Sequence, residues 1–254
     1  MELEPATLAF LCIAFFCGGF MDGIAGGGGL LTLPAMLLTG LPPETALGTN
    51  KFAAYSGVLA SLGSYARSGF VLWKAALTGV PAMLIGDALG AGLLLSFDSA
   101  MVGKILVFML PVGLFAVFMP KKDGRERPMK PYEFYSTLPL ICFILGIYDG
   151  FFGPGSGTFF VIAFHAFLGM GLLQSVASAK MIGMAGGIGA CLVFAVRGHI
   201  NYLLALPLCI ACAAGNILGS RMAMQVGPNL VRRFLVISLA LLFASLIGKF
   251  WFKS

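Results

Sequence analysis

The chain has 254 residues, 59% of them hydrophobic and only 10% charged, with a formal net charge of +6 and a mean hydropathy of +0.98. A soluble domain carries about 25% charged residues, so a water-exposed globular class is excluded and the chain belongs in lipid. Apart from one cluster the basic residues are scattered singly at segment ends, which does not suggest a nucleic-acid face, and no alternating strands of roughly ten residues occur, which excludes an outer-membrane barrel.

Eight apolar segments follow in chain order, at 5–40, 43–66, 72–95, 100–119, 134–170, 173–196, 200–224 and 231–252. Glu2 and Glu4 precede the first without a basic flank, unlike a cleaved signal peptide. At 36 residues the first segment would reach about 54 Å as one helix, against a hydrocarbon core near 30 Å. It is interrupted at "DGIAGGGGLLTLP" (Asp22–Pro34), where four consecutive glycines (Gly26–Gly29) stand. Each costs a helix roughly 1 kcal/mol against alanine. The second segment carries Thr49, Asn50 and Lys51, and the third carries "GDALG" at Gly86–Gly90. After the fourth comes "PKKDGRERPMKP" (Pro120–Pro131), whose five Lys/Arg place that loop on the cytoplasmic side. The fifth segment is again too long and is interrupted at "LGIYDGFFGPGSG" (Leu145–Gly157). The sixth carries Ser178 and Lys180, and the seventh carries "GNILG" at Gly215–Gly219.

The two halves match in register. Asp22/Asp149, Gly26/Gly153 and Gly28/Gly155 stand 127 apart; Lys51/Lys180, Gly57/Gly186, Gly86/Gly215 and Gly90/Gly219 stand 129 apart. Two charged positions inside apolar runs are among the matches, which indicates a duplication. The expected fold is an all-α polytopic membrane protein of two homologous halves, each of four to five helices with a broken first helix. The domains are a first repeat at 1–119, a basic linker at 120–133 and a second repeat at 134–254. Four crossings per half would make the copies parallel and five would invert them; segment length favours inversion.

Irregular backbone at membrane depth is tolerated only where it is buried in protein or lines a cavity. Matched broken segments in two halves point to a transporter's substrate site. Glycines let amides converge on a ligand, and a helix starting at Leu30 or Thr158 adds a positive dipole end, together an anion site. The alternative is tight helix packing alone. Lys51 and Lys180 lie about eight residues into their segments, where an ammonium is a functional residue by default, unless it snorkels to the interface. The expected substrate-binding set is therefore Gly26, Gly27, Gly28, Gly29, Thr49, Asn50, Lys51, Gly153, Gly155, Ser156, Gly157, Ser178 and Lys180. Asp22 and Asp149 carry three open readings: proton carriers, structural partners of the lysines, or helix caps. His165 has no counterpart and reads as a satisfied polar residue. Asp87 and Arg221 read as interfacial, with Asp87 left open as a pathway residue because it matches Asn216. The six cysteines, including the Cys209/Cys212 pair, read as packing residues. No catalytic or metal-binding motif is found, and no cofactor is expected.

The stretch "DGIAGGGGLLTLPAMLLTGLPPETALGTNKFAA" (22–54) resembles the opening motif of the TauE/SafE sulfite exporter family, with Gly40, Pro43, Ala46, Gly48, Thr49 and Asn50 completing it. "DGFFGPGSGTFF" and "QSVASAKMIGMAGG" resemble its second half more loosely. The resemblance implies a secondary carrier or permease, without ATP hydrolysis, for small sulfur-containing anions such as sulfite, sulfonates or sulfoacetate, in the bacterial cytoplasmic membrane. The expected function is alternating-access transport of such an anion, with proton coupling open; an anion channel and an integral-membrane enzyme are the alternatives. Expected partners are the small anionic substrate and the lipid bilayer, not nucleic acid, with a homodimer left open.

Overall fold

The computed structural model describes residues 4–67, 69–106, 108 and 127–226. Among them every regular element is helical: α1 (Pro5–Ala25), α2 (Gly29–Leu37), α3 (Pro43–Arg67), α4 (Trp73–Leu94), α5 (Leu138–Phe151, entered through a π-helical turn at Glu133–Thr137), α6 (Ser156–Leu168), α7 (Leu172–Val196) and α8 (Tyr202–Val226). Residues 99–106 are also helical. Five described helices are long and apolar enough to cross a membrane. Their outward faces carry exposed Ile13, Leu77, Leu140, Val196, Leu203 and Ile210, the surface that lipid covers. The eighth apolar segment, most of the fourth and the first half of the basic linker lie outside the described residues.

Both long segments break where expected. Pro5 opens α1, where its missing N–H costs nothing. The helix stops because Gly26 turns to φ 82°, as its counterpart Gly153 turns to φ 90°, a conformation side-chain-bearing residues rarely adopt. The following helices start at Gly29 and Ser156, one and two residues earlier than Leu30 and Thr158. α2 then runs back along α1: Thr32 lies against Gly18, and Gly28 lies against both Gly18 and Asp22. At nine and thirteen residues α2 and α6 span only about 13 and 20 Å, so in each broken segment a long helix is followed by one too short to cross.

Helix pairing joins the halves reciprocally. α1 packs on α8 and α5 on α4 through the small-residue motifs: a Cβ on Gly215 or Gly219 would strike the carbonyls of Phe16 and Phe20, and one on Gly86 or Gly90 those of Phe143 and Ile147. Backbones approach this closely only where side chains are absent. The helices of each pair run in the same direction, since Gly19 and Gly23 meet Cys212 and Asn216, as Gly146 and Gly150 meet Met83 and Asp87. The matched helices α3 and α7 run antiparallel, with Gly48 beside Phe194, Tyr55 beside Gly187, and the Leu72 N–H donating to Ser178 Oγ at 3.2 Å. The core is divided among three apolar clusters, one of them joining α1, α2, α4 and α7 around Phe152 and Phe194.

Candidate functional site

The reciprocal packing brings the two glycine breaks together. Gly26 abuts Gly157, and Gly29 abuts Pro154. Between them and the flanking helices lies a cavity of about 140 Å³; liquid water occupies about 30 Å³ per molecule, so a small polyatomic ion with a few waters fits. Gly26–Gly29, Asn50, Lys51, Gly153, Gly155, Ser156, Gly157 and Lys180 line it, as do Asp22 and Asp149. The amides of Gly29 and Gly157 belong to the first turns of α2 and α6, where backbone N–H groups have no acceptor within their helix.

Thr49 and Ser178 are the two expected site residues that the structure turns elsewhere. Thr49 Oγ1 accepts the Asn201 N–H at 3.0 Å, and Ser178 Oγ accepts that of Leu72. These are matched bonds in the two halves, 49 to 201 and 178 to 72, and each ties a loop preceding α8 or α4 to a buried hydroxyl. Both residues are fully buried; a hydroxyl already committed to a loop amide is not free to face the cavity.

The charged residues pair across the duplication. Lys51 Nζ donates to Asp149 Oδ2 at 3.1 Å and to the Asp149 carbonyl, while Lys180 Nζ donates to Asp22 Oδ2. Each lysine therefore takes its carboxylate from the other half. Neither snorkels: their side chains are 10% and 9% exposed. Ser156 Oγ donates to Asp149 Oδ1, and Asn216 Nδ2 donates to Asp22 Oδ2 at 3.3 Å. Among the described residues neither aspartate side chain caps the helix that follows it, although Ser156 begins α6 and ties Asp149 to that start.

Asp87 corrects the interfacial reading. It sits within α4 with no exposed surface, accepts the Ala190 N–H at 2.8 Å through Oδ2, and places Oδ1 3.8 Å from Lys51 Nζ. The register match with Asn216 was the signal that located it. Tyr55, Met83 and Phe160 also line it without having been marked by sequence, because apolar and aromatic residues are common in every such segment; Cys212, read as a packing residue, lines it too. Arg221 is exposed. His165 Nδ1 pairs with the Met170 carbonyl at 2.7 Å. Cys212 is buried against Gly57 of α3.

A model of the sulfite exporter TauE/SafE family matches residues 11–246. The chain belongs to the TauE/SafE family. Similar TauE/SafE-like chains include a "Probable membrane transporter protein ORF9" of Sinorhizobium sp, 38% identical over 93% of this chain and 90% of that protein. A "Probable membrane transporter protein" of Haemophilus influenzae is 34% identical over 99% of both chains. "Probable membrane transporter protein YfcA" of Escherichia coli K12 is 31% identical over 96% of this chain and 91% of that one. No solved structure matches. As a TauE/SafE protein with several apolar helices, the chain is a multi-pass membrane protein.

Proposed function

We propose that the chain is a secondary transporter of a small anion, with a sulfur oxyanion or organosulfonate as the substrate class, in a bacterial cytoplasmic membrane. The observation that carries this reading is the cavity itself: two broken helices meet there, each presenting first-turn amides, and both buried ammonium groups reach it. Amides and positive dipole ends attract negative charge. Relatives named as probable membrane transporters over nearly their whole length support the transport class, and the family's description supports the sulfur chemistry.

The site is not an open positive well, because Asp22 and Asp149 hold the lysines. An arriving anion competes with those carboxylates for the same N–H donors. Binding then loosens the cross-half pairs, Lys51–Asp149 and Lys180–Asp22, which are ties between the two repeats. That is a direct way for ligand occupancy to free one repeat to move against the other. Antiparallel α3 and α7 support an inverted arrangement of the repeats, for which rocking about a fixed central site gives alternating access.

The test is thermal stabilisation of purified protein by sulfite, thiosulfate, sulfonates and carboxylates, since a ligand that prefers the folded state raises the melting temperature. One sulfur anion should stabilise the wild type at millimolar concentration, and Lys51→Met and Lys180→Met should each lose the effect. Stabilisation that persists in both variants removes the lysines from the site. Counterflow in liposomes separates carrier from channel, because only a carrier exchanges.

A further inference from the structure

The two charged clusters are matched by sequence but not by charge. In the second half, Lys180 faces Asp22, and position 216 contributes a neutral amide that donates to that carboxylate at 3.3 Å. In the first half, Lys51 faces Asp149, and position 87, the equivalent of 216, contributes a carboxyl group instead. The contact between positions 216 and 22 needs a donor on one side. Asp87 stands in the same relation to Asp149: both carboxyl groups converge on Lys51 Nζ, Asp87 Oδ1 at 3.8 Å and Asp149 Oδ2 at 3.1 Å. A carboxylate cannot donate; a carboxylic acid can.

Three further observations bear on the same point. Asp87 has no exposed surface, and among the described residues its Oδ1 lacks any hydrogen-bond partner, a cost that protonation relieves by turning that oxygen into a donor. Lys51 is one positive charge against two carboxyl groups, and a buried net negative charge is costly. The groups facing Asp87 from each packed helix are Lys51 on α3, Asp149 on α5, and the Ala190 N–H with the Cys191 thiol on α7. Among these Lys51 is the sole cation, and it is already engaged with Asp149.

We propose that the Asp87–Asp149 pair binds one proton, carried by Asp87 and donated to Asp149 as Asn216 donates to Asp22, so that only the first-half cluster is a proton site. Binding is a simple addition: one proton joins Asp87 Oδ1, and the cluster with Lys51 becomes neutral. Releasing it leaves the cluster with a net charge of −1 beside the cavity. An anion in that cavity opposes release, so proton and anion bind together, which couples anion movement to a proton gradient. The coupling step rests on the transporter reading; the bound proton does not.

The proton is read directly by infrared spectroscopy of the full chain in lipid nanodiscs at neutral pH. The wild type should show the carbonyl stretch of a protonated carboxylic acid, Asp87→Asn should lose it, and Asp22→Asn should keep it. Asn216→Asp builds a second carboxyl pair with Asp22 and should double the band, a gain that does not depend on how well Asp87→Asn folds. Absence of the band in the wild type, its survival in Asp87→Asn, or its disappearance on adding sodium would overturn the proposal, the last by making the bound cation a metal ion. In proteoliposomes loaded for sulfite uptake, an inward proton gradient should accelerate the wild type several-fold, and Asp87→Asn should lose that acceleration. A band with the expected mutational behaviour in vesicles that carry no anion would leave the proton site standing and remove the transporter reading.

Discussion

Lys180→Met tests whether the cross-half ion pairs act as pairs. The substitution keeps an unbranched stem of similar length and removes the ammonium group, so among the described residues Asp22 is left with the Asn216 amide as its hydrogen-bond donor. Breaking a buried ion pair by removing one partner costs about 3–5 kcal/mol. Asp22 is 22% exposed and keeps one amide donor, which puts the expectation at the low end, about 3 kcal/mol. For a chain of this size, that corresponds to a fall of roughly 6–12 °C in melting temperature. The double variant Lys180→Met/Asp22→Asn leaves no unpaired charge, and the amide oxygen introduced at position 22 still accepts from Asn216. It should recover most of the loss, with a coupling energy of about 2 kcal/mol in the double-mutant cycle. The assay is thermal unfolding of the four proteins in one detergent at neutral pH. A double variant that is as unstable as the sum of the singles would refute the reasoning, because additivity means the two groups do not compensate one another.

Gly219→Ala should destabilise by about 1–3 kcal/mol, because the new methyl group meets the backbone of Phe20; Gly63→Ala on α3, where the added carbon meets no described residue beyond its own stretch of helix within 4 Å, should instead stabilise by roughly 0.5–1 kcal/mol. The same unfolding assay separates them. Gly26→Ala combines a left-handed backbone with a clash against Gly157, so it should abolish anion-induced stabilisation in the ligand screen even if the variant folds. Tyr65→Phe removes a hydroxyl that donates to the Gly23 carbonyl next to Asp22 and should lower stability by about 1 kcal/mol, read from the melting curve. A loss no larger than that of a surface substitution would show that water replaces the bond.

The broken segments and the matched charges were legible in the sequence. Lipid forces this legibility: unpaired backbone and charge are expensive there, so Gly26–Gly29, Gly153–Gly157, Lys51, Lys180, Asp22 and Asp149 stand out against an apolar background. Thr49 and Ser178 did not fit the same logic. A hydroxyl next to a lysine looks like a ligand donor in one dimension, but its direction depends on helix rotation, which placed both against the loop amides of Asn201 and Leu72.

What the amino-acid order determined by itself is therefore periodic and local: which stretches enter the membrane, where glycine ends a helix, and which residues recur in both halves. Only tertiary packing decided who meets whom. Pairing Lys51 with Asp149 and Lys180 with Asp22, rather than within each half, follows from α1 seating on α8 and α5 on α4 through glycine contacts between distant segments. Such contacts are set by the shapes of two surfaces at once, and one strand of letters carries each surface separately. The same packing drew Asp87 from an assumed interface into a fully buried cluster, where a single exchange of carboxyl for amide between the halves acquires its chemical meaning.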